Sequence, residues 1–450
     1  MKIVIINKSD STGGAAVVSR RLMEAFRLEG IDARMLVCEK FSDSPFVELA
    51  ASPGEIKRKF LIERLKVFLA NGFNRTTLFK IDTGEEGLPL WRHPSVVSAD
   101  AIMINWVNQG MLSIKGIKKI LSLGKPVIIT MHDMWWLTGI CHHAGECLHF
   151  LKECGNCPLL QRKASSHDLS HKIWERKFKL YSQDKLLNKT AFVAVSSWLK
   201  EKALGSSLLS NQRVELIPNA FPIDSDYPLR EIRPQKEGRR KIRLLFGAAR
   251  LDDPIKGLDT FKEASRILKS KYSDEASNIE IVLFGGVKDP DALQGFSLPM
   301  EHLGILKGDE KVRQAYEYCD ILVSASSYET LPGTLVEAQA YGCIPVSFNQ
   351  GGQSDIISTS LSGSSLDTSP ENDSGQSNLC TGRLVEYSED FYERADNLAK
   401  GIIDAIKIIG DPHRLHDTIK NMRENVEKKF SYPMVVKKYL SLIHNLQRND

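Results

Sequence analysis

Short runs of Val, Ile and Leu alternate with helical patterns along the chain. The runs are continuous rather than interrupted by polar residues, which is typical of strands buried on both faces of a parallel sheet. In the first half, strands are predicted at residues 2–7, 33–38, 101–106, 126–132, 191–196 and 214–218, and helices at residues 15–28, 113–123 and 166–186. Strands that alternate with helices predict right-handed crossovers and a doubly wound α/β domain.

The pattern breaks once and then starts again. Residues 223–240 are rich in proline and charge, and they predict a linker after a first domain at 1–222. Strands then recur at residues 242–248, 279–284, 321–324 and 345–348, with helices at 258–271, 311–319 and 334–341. The sequence therefore predicts an α/β protein of two Rossmann-like domains that face a central cleft, where ligands of such folds bind. The second domain is assigned to 241–431 with a Ser-rich loop at 358–380, and the helical segment at 432–450 is a candidate to pack back on the first domain.

Composition and charge narrow the classes of function. The 450 residues suggest two or three domains, and 42% hydrophobic residues suit large buried cores. A net charge of +4 without a basic tract argues against nucleic acid as a partner. The first apolar run is too short for a secretion signal, and no run is long enough to span a bilayer. Eight cysteines in so long a chain do not suggest a secreted disulfide scaffold, so we expect a cytoplasmic protein.

The clearest chemical motif is SSYETLPGTLVE at residues 326–337. A strand ends in serines and a helix is predicted to start near Gly333, so the backbone N–H groups at that start can bind an anion. Glu329 in the loop and Glu337 in the helix are eight residues apart, a spacing that lets one carboxylate face a sugar and the other a ribose. The alternative, a capped helix with two solvent-exposed glutamates, stays open.

Three loops that follow predicted strands add weaker signals. Arg250 and Lys256 could clamp a diphosphate, although cations in loops are often simply solvated. Gly13 and Gly14 let the backbone approach a ligand, while the absence of a G-x-G-x-x-G fingerprint disfavours a nicotinamide dehydrogenase. His132 is a candidate to hydrogen-bond a donor sugar, and a structural histidine is an equal alternative.

Together these motifs resemble the retaining glycosyltransferases of family 4, which have the GT-B fold. The resemblance spans nearly the whole chain and rests on Glu329 with Glu337, Arg250 with Lys256, Gly13 with Gly14, His132, and the Ile-Pro-Asn sequence at 217–219. It implies that Glu329 and His132 contact the donor sugar as catalytic residues and that Glu337 contacts the ribose. It further implies a donor-binding set for the diphosphate, made of Arg250, Lys256, Gly13, Gly14 and the backbone N–H groups of Gly333, Thr334 and Leu335.

The resemblance also implies the substrates. It predicts a nucleoside-diphosphate sugar as donor and a glycan as acceptor, with a polyprenyl-linked acceptor as a hypothesis. Residues 131–160 resemble a subgroup from bacterial capsule, exopolysaccharide and O-antigen biosynthesis. Asp224 and Asp226 form a D-x-D pattern in the linker rather than at a strand end, so we expect catalysis to need no divalent ion or other cofactor. A sugar-nucleotide epimerase and a non-catalytic assembly scaffold remain open as alternatives.

A cysteine-rich insertion at 139–158 is the most unusual segment of the sequence. Cys141, Cys147, Cys154 and Cys157 could hold one structural zinc ion, because four thiolates can bind it tetrahedrally. Such a closed site would have no catalytic role. The irregular spacing leaves reversible disulfides and plain buried thiols as alternatives, and disulfides are the poorer choice in a cytosol.

Residues 55–75 combine basic and apolar side chains at helical spacing. A basic amphipathic helix can lie on an anionic membrane surface, which would place the protein on the inner face of the cytoplasmic membrane. An ordinary domain helix with a charged face is the alternative.

Overall fold

The computed structural model describes residues 1–224, 226, 228–230, 241–359 and 380–448. The chain divides into two compact units, one formed by Met1–Pro222 with Tyr432–Asp450 and the other by Ile223–Ser431. Most of the linker predicted at 223–240, and most of the Ser-rich loop predicted at 358–380, lies outside the described residues.

A parallel sheet forms the centre of the first unit. Its strands are β1 (Lys2–Ile6), β2 (Asp32–Val37), β3 (Val47–Leu49), β4 (Ala101–Ile104), β5 (Val127–Met131), β6 (Thr190–Ala194) and β7 (Val214–Leu216). They lie in the order β3-β2-β1-β4-β5-β6-β7, and every neighbouring pair is parallel. The strands β4, β5 and β6 are buried along their whole length, which explains their continuous apolar sequences.

Helices connect these strands. They are α1 (Gly14–Leu28), α2 (Pro53–Ala70), α3 (Pro94–Val97), α4 (Ile114–Leu121), α5 (Leu169–Tyr181), α6 (Asp184–Leu187) and α7 (Ser197–Gly205). The single helix predicted at 166–186 is wrong, because α5 and α6 are separate and α5 begins later. The Asp168 carboxylate accepts hydrogen bonds from the N–H groups of Ser170 and His171 at 2.8 and 3.3 Å, and so caps α5 at that point.

The second unit repeats this architecture with a six-stranded sheet. Its strands are β8 (Ile242–Arg250), β9 (Ile279–Gly286), β10 (Met300–His302), β11 (Ile321–Ser324), β12 (Ile344–Phe348) and β13 (Arg383–Val385). Their order is β10-β9-β8-β11-β12-β13, again parallel throughout. The helices are α8 (Leu258–Lys271), α9 (Ser273–Ala276), α10 (Asp309–Tyr318), α11 (Gly333–Ala340), α12 (Phe391–Ile409) and α13 (Pro412–Phe430).

The last helix, α14 (Tyr432–Gln447), belongs to the first unit although it follows the second in sequence. Val435 and Tyr439 lie in the same buried cluster as Ile3 of β1. The Tyr439 ring meets the ring of Phe26 edge-on at 6.1 Å. None of the helices in the described ranges is long and apolar enough to cross a membrane.

The predicted α/β class with two Rossmann-like halves is confirmed. In each unit the parallel strands bring their carboxyl ends to one edge of the sheet, where loops that follow different strands meet. The residues singled out from the sequence follow β1 and β5 in the first unit, and β8 and β11 in the second.

Candidate functional site

The segment between β11 and α11 forms a turn that ends in a helix start. Pro332 is the residue that precedes α11, and Gly333 is the first helical residue. Gly333 and Thr334 are half-buried, whereas Leu335 is buried and its N–H donates to the Pro332 carbonyl at 3.2 Å. The N–H groups of Gly333 and Thr334 are therefore the better candidates to bind an anion at this helix start.

The loop after β8 is held against the end of β11. Gly257 has φ of +72°, and a Cβ atom there would lie 2.0 Å from the Ala325 carbonyl oxygen, so this close approach requires glycine. The Ser327 N–H donates to the Ile255 carbonyl at 2.9 Å. These contacts set Lys256 beside the turn that carries Glu329.

Lys256 and Glu329 form an ion pair, with 2.5 Å between Nζ and Oε1. The two side chains are 29% and 20% exposed. The sequence pattern predicted both residues at one ligand site but did not predict that they pair with each other. The main chain of Glu329 is fixed as well, because its carbonyl accepts the Gly352 N–H at 3.0 Å.

Arg250, the last residue of β8, lies at the same edge of the sheet. Its guanidinium is 3.4 Å from a carboxylate oxygen of Asp252 and 3.3 Å from one of Asp253. The side chain is 50% exposed, so water screens these two ion pairs. Arg250 is thus less constrained than Lys256, and more accessible.

Glu337 lies one turn after Gly333 on α11, and residues four apart share a helix face. One of its carboxylate oxygens, Oε2, accepts a hydrogen bond from the Tyr316 hydroxyl at 3.0 Å. Tyr316 is fully buried, with its ring stacked on Tyr341 and edge-on to Phe284. Sequence reasoning missed Tyr316, because no motif links it to residues 326–337 and only tertiary packing brings it there.

In the first unit, Gly13 and Gly14 lie at the start of α1. Gly13 precedes the helix with φ of +89°, and its carbonyl accepts the N–H groups of Ala16 and Val17. A Cβ atom at either glycine would have no other atom within 4 Å. The backbone is therefore accessible here, as a ligand contact requires.

His132 directly follows β5 and is neutral at neutral pH, because burial lowers the pKa of its imidazole to about 4, against the opposing effect of Asp133. A neutral imidazole can donate or accept a hydrogen bond but cannot pair with a phosphate as a cation.

The carboxylate of the neighbouring Asp133 makes three polar contacts that the sequence did not predict. Its Oδ2 accepts from Trp106 Nε1 and contacts His142 Nδ1, each at 2.7 Å, and its Oδ1 accepts the Trp135 N–H at 2.8 Å. Burial would raise the pKa of Asp133, but the contact with His142, together with the hydrogen bond from the Trp135 N–H, outweighs it and holds the pKa at about 2. Asp133 is therefore ionised, and it fixes the orientation of His142.

The four cysteines of the insertion are not gathered into a metal site. In the part of the chain that the structure describes, no three Cys, His, Asp or Glu side chains are placed to hold a metal ion. The Cys154 Sγ instead accepts the Gly139 N–H at 3.2 Å. Burial raises the pKa of Cys141 to about 12, that of Cys154 to about 11, and also that of Cys157, so these thiols are protonated without a metal. A zinc ion would require Cys147 and the other three thiols to come closer together, and the zinc hypothesis stays a prediction.

The comparisons by sequence found one family and one curated relative, and the family match lies within the second unit. Residues 230–374 match the family Glycosyl transferases group 1. An uncharacterized 41.2 kDa protein in the cps region of Klebsiella pneumoniae is 25% identical over 208 residues, which cover 43% of this chain and 52% of that protein. The chain thus spans about half the length of the curated relative that it matches.

Solved structures resemble the chain over nearly its whole length. HepE from Anabaena in complex with UDP has a TM-score of 0.57 at 14% identity, and covers 99% of this chain and 100% of that one. Sucrose-phosphate synthase from Thermosynechococcus elongatus has a TM-score of 0.58 at 17% identity and covers both chains fully. At such low sequence identity the structural similarity shows the fold alone. That similarity confirms the predicted GT-B class. The second unit therefore contains a segment that matches the family Glycosyl transferases group 1, within a chain that has the GT-B fold.

Proposed function

We propose that the chain is a retaining glycosyltransferase of family 4 that moves a sugar from a nucleoside-diphosphate sugar to a glycan acceptor. The observation that carries this proposal is the ion pair between Lys256 and Glu329, which lie in loops after two neighbouring strands of one sheet, within the matched segment 230–374. Gly333 and Glu337 lie on α11, the helix that follows the loop of Glu329. HepE, which has a similar fold, has been crystallised with UDP and with UDP-glucose. We extend that ligand class to this chain.

In the proposed reaction, Lys256, Arg250 and the helix start at Gly333 bind the diphosphate. The bond between the anomeric carbon and the phosphate oxygen breaks, and negative charge grows on the leaving phosphate. These groups stabilise that charge, which is usually the largest single contribution to such catalysis. The acceptor oxygen bonds to the anomeric carbon on the same face, and its proton passes to the leaving phosphate. For Gly13, Gly14 and His132, contact with the donor rests on the resemblance to family 4 alone.

A ligand panel tests the proposed donor class. UDP, GDP and ADP, and their glucose, galactose and N-acetylglucosamine conjugates, are screened for a shift in the thermal unfolding midpoint. A ligand at 100 times its Kd should stabilise the folded protein by about 2.7 kcal/mol. A panel with no stabilising compound would contradict the proposal. Donor incubated alone separates an epimerase, which converts it, from a transferase, which also requires an acceptor.

We further propose that no divalent ion takes part in the reaction. The groups assigned to the diphosphate are side chains and backbone N–H groups, so a bridging metal is not needed to neutralise it. Activity should persist in EDTA. Activity that is lost in EDTA and restored by Mg²⁺ or Mn²⁺, while the protein stays folded, would contradict this.

The acceptor is proposed to be a polyprenyl-linked glycan in capsule, exopolysaccharide or O-antigen synthesis. The relative from a cps region supports this biological setting. A lipid-linked acceptor lies at a membrane surface, so the enzyme should be able to associate peripherally with the inner face of the cytoplasmic membrane.

Helix α2 is the proposed membrane-binding element, and its side chains differ in exposure and in their ion pairs. Leu61, Leu65 and Leu69, at helical spacing, are 53%, 55% and 52% exposed and form one apolar stripe. Lys57 and Arg58 at the start of the helix are also exposed. A stripe of leucines next to exposed cations suits an anionic bilayer.

Other basic residues of α2 are already paired within the protein. Lys59 and Lys66 bind the two carboxylate oxygens of Glu86 at 3.0 and 2.6 Å, and the buried Arg64 binds Asp82 at 3.1 Å. These cations are not available to lipids. The membrane-facing charge is therefore smaller than the sequence of residues 55–75 indicated.

Co-sedimentation with liposomes that contain anionic lipid tests this surface. Leu65→Gln with Leu69→Gln should release the protein from the liposomes, and Lys57→Gln with Arg58→Gln should weaken binding most at low salt. Lys59→Gln is the matched control, because that ammonium is engaged by a carboxylate, and it should change binding little. If all the charge changes altered liposome binding equally, or if the leucine changes did not alter it, α2 would be an ordinary domain helix with a charged face.

A further inference from the structure

The ion pair between Lys256 and Glu329 joins two groups to which the proposed function gives different parts of the donor. Lys256 is assigned to the diphosphate and Glu329 to the hydroxyl groups of the sugar. In the structure each is the partner of the other, at 2.5 Å. A diphosphate that binds Lys256 must therefore compete with the Glu329 carboxylate.

This competition is not easily relieved by movement of the main chain. Lys256 lies in a turn in which the next residue, Gly257, packs closely against the Ala325 carbonyl. The Glu329 carbonyl packs equally closely against Gly351, which has φ of +100°. A Cβ atom at residue 351 would lie 2.1 Å from the Glu329 carbonyl oxygen. Both backbones are thus fixed by close contacts, and only rotation of the two side chains can break the ion pair.

We propose that Glu329 is a specificity-determining residue that makes the site favour an intact nucleoside-diphosphate sugar over the nucleoside diphosphate product. The inference rests on the proposed function of this site. When a diphosphate takes Lys256, the Glu329 carboxylate loses its cation and lies near added negative charge, which is unfavourable. The hydroxyl groups of a bound donor sugar can donate hydrogen bonds to Glu329 and so replace the lost partner. The nucleoside diphosphate product lacks that sugar.

The direction of this effect distinguishes it from a simple binding role. If Glu329 only held the sugar, its neutralisation would weaken the donor and leave the product unchanged. If it also competes for Lys256, its neutralisation must tighten the product. Free Lys256 is then available to the diphosphate without the loss of an ion pair. The product would accordingly leave the native enzyme more readily than it leaves the variant.

The test is Glu329→Gln, which keeps the shape of the side chain and the backbone contacts of residue 329. Dissociation constants are measured by titration calorimetry for UDP and UDP-glucose, or for the pair from the panel that stabilises the native protein most. The ion pair is partly exposed, so the expected change is modest. UDP should bind about threefold to tenfold more tightly to the variant, and UDP-glucose equally well or more weakly.

Glu263→Gln serves as the matched control. Glu263 pairs with Arg266 on α8, so this change removes one negative charge from the same unit without touching Lys256. It should leave both dissociation constants unchanged. Binding of UDP to Glu329→Gln that is unchanged or weaker, or tightening of both ligands by the same factor, would overturn the inference and leave the proposed function intact. Failure of the native protein to bind any compound of the panel would instead refute the proposed function.

Discussion

Replacement of Lys256 by alanine tests the phosphate-binding role most sharply. The ammonium pairs at 2.5 Å with Glu329, in the loop that leads into α11. If it stabilises the charge on the leaving phosphate, its loss should lower turnover by about 10²–10³-fold, equivalent to roughly 2.7–4 kcal/mol of transition-state stabilisation.

The cost in folding stability should be much smaller. Lys256 is 29% exposed and Glu329 20% exposed, so water screens the pair and Glu329 becomes hydrated when its partner is removed. Exposed pairs of this kind contribute about 0–1 kcal/mol. A large loss of activity combined with a small loss of stability is therefore the expected signature. Arg250→Ala should show a smaller loss of turnover, because the Arg250 side chain is half-exposed and water screens its charge more than that of Lys256.

Turnover is measured as release of nucleoside diphosphate from the donor in the presence of acceptor, and stability as the free energy of unfolding in urea. Lys262→Ala is the matched control, because Lys262 is a lysine of the same unit that pairs with Asp259 on the surface of α8. It should leave turnover unchanged. Turnover of Lys256→Ala within about threefold of the native value would refute the reasoning. So would a loss of activity that merely follows loss of the folded state.

Three further changes have distinct expected outcomes. Tyr316→Phe removes the hydrogen bond that orients Glu337, so the Kd of a ribonucleoside diphosphate should rise about threefold to tenfold while that of its 2′,3′-dideoxy analogue stays the same; equal effects on both would contradict a role at the ribose. Gly257→Ala forces a Cβ atom towards the Ala325 carbonyl oxygen, and the free energy of unfolding in urea should fall by roughly 1–3 kcal/mol; an unchanged value would show that the turn can relax. If the insertion binds zinc, Cys154→Ser should lower both the bound zinc and the thermal midpoint; a zinc-to-protein ratio near zero in reduced native protein would leave buried thiols as the explanation.

Most of the sheet could be predicted from the sequence because a buried parallel strand has a strong local signal. The strands β4, β5 and β6 are apolar at every or nearly every position, and their predicted ranges differ from the observed ones by at most two residues at either end. The strands that were missed, β3, β10 and β13, have only three residues each and lie at sheet edges. A strand of that length is too short to establish a period, and its burial depends on the neighbour.

Two long helices, α12 and α13, had a signal in the sequence that was not used. In α12 the buried positions Ala395, Leu398, Ala399 and Ile402 recur at helical spacing. The break between α5 and α6 was harder to anticipate. The helical pattern of the sequence does not stop at Tyr181, where α5 ends. The cap at Asp168 is recognised only from its hydrogen bonds.

For the candidate site, the sequence singled out individual residues but did not predict which of them are in contact. The spacing of Glu329 and Glu337 placed them around one helix start, because both lie within one strand–turn–helix segment. The contact of Lys256 with Glu329 depends on the left-handed Gly257 and on its fit against the next strand, a tertiary feature. The hydrogen bond from Tyr316 is likewise not encoded in any local spacing.

The same limit applied in the first unit. His132 was selected because it ends a predicted strand, yet the ordered group next to it is Asp133. That carboxylate is held by Trp106 from the loop after β4 and by His142 from its own segment between β5 and α5. Cysteine spacing predicts a zinc site, and that hypothesis stays a prediction. Long-range packing decides these arrangements, and local sequence patterns do not reveal it.

The central claim is sugar transfer from a nucleotide donor to an acceptor. The most direct test incubates the native protein with the sugar nucleotide that binds best in the panel, labelled in its sugar, and with a lipid-linked glycan fraction as acceptor. We predict label in the acceptor fraction, release of one nucleoside diphosphate for each sugar transferred, and an anomeric configuration that matches the donor. In Lys256→Ala the rate of label transfer should be lower by about 10²–10³-fold. Donor that stays intact with every acceptor fraction, or label that appears with inverted configuration, would contradict the account.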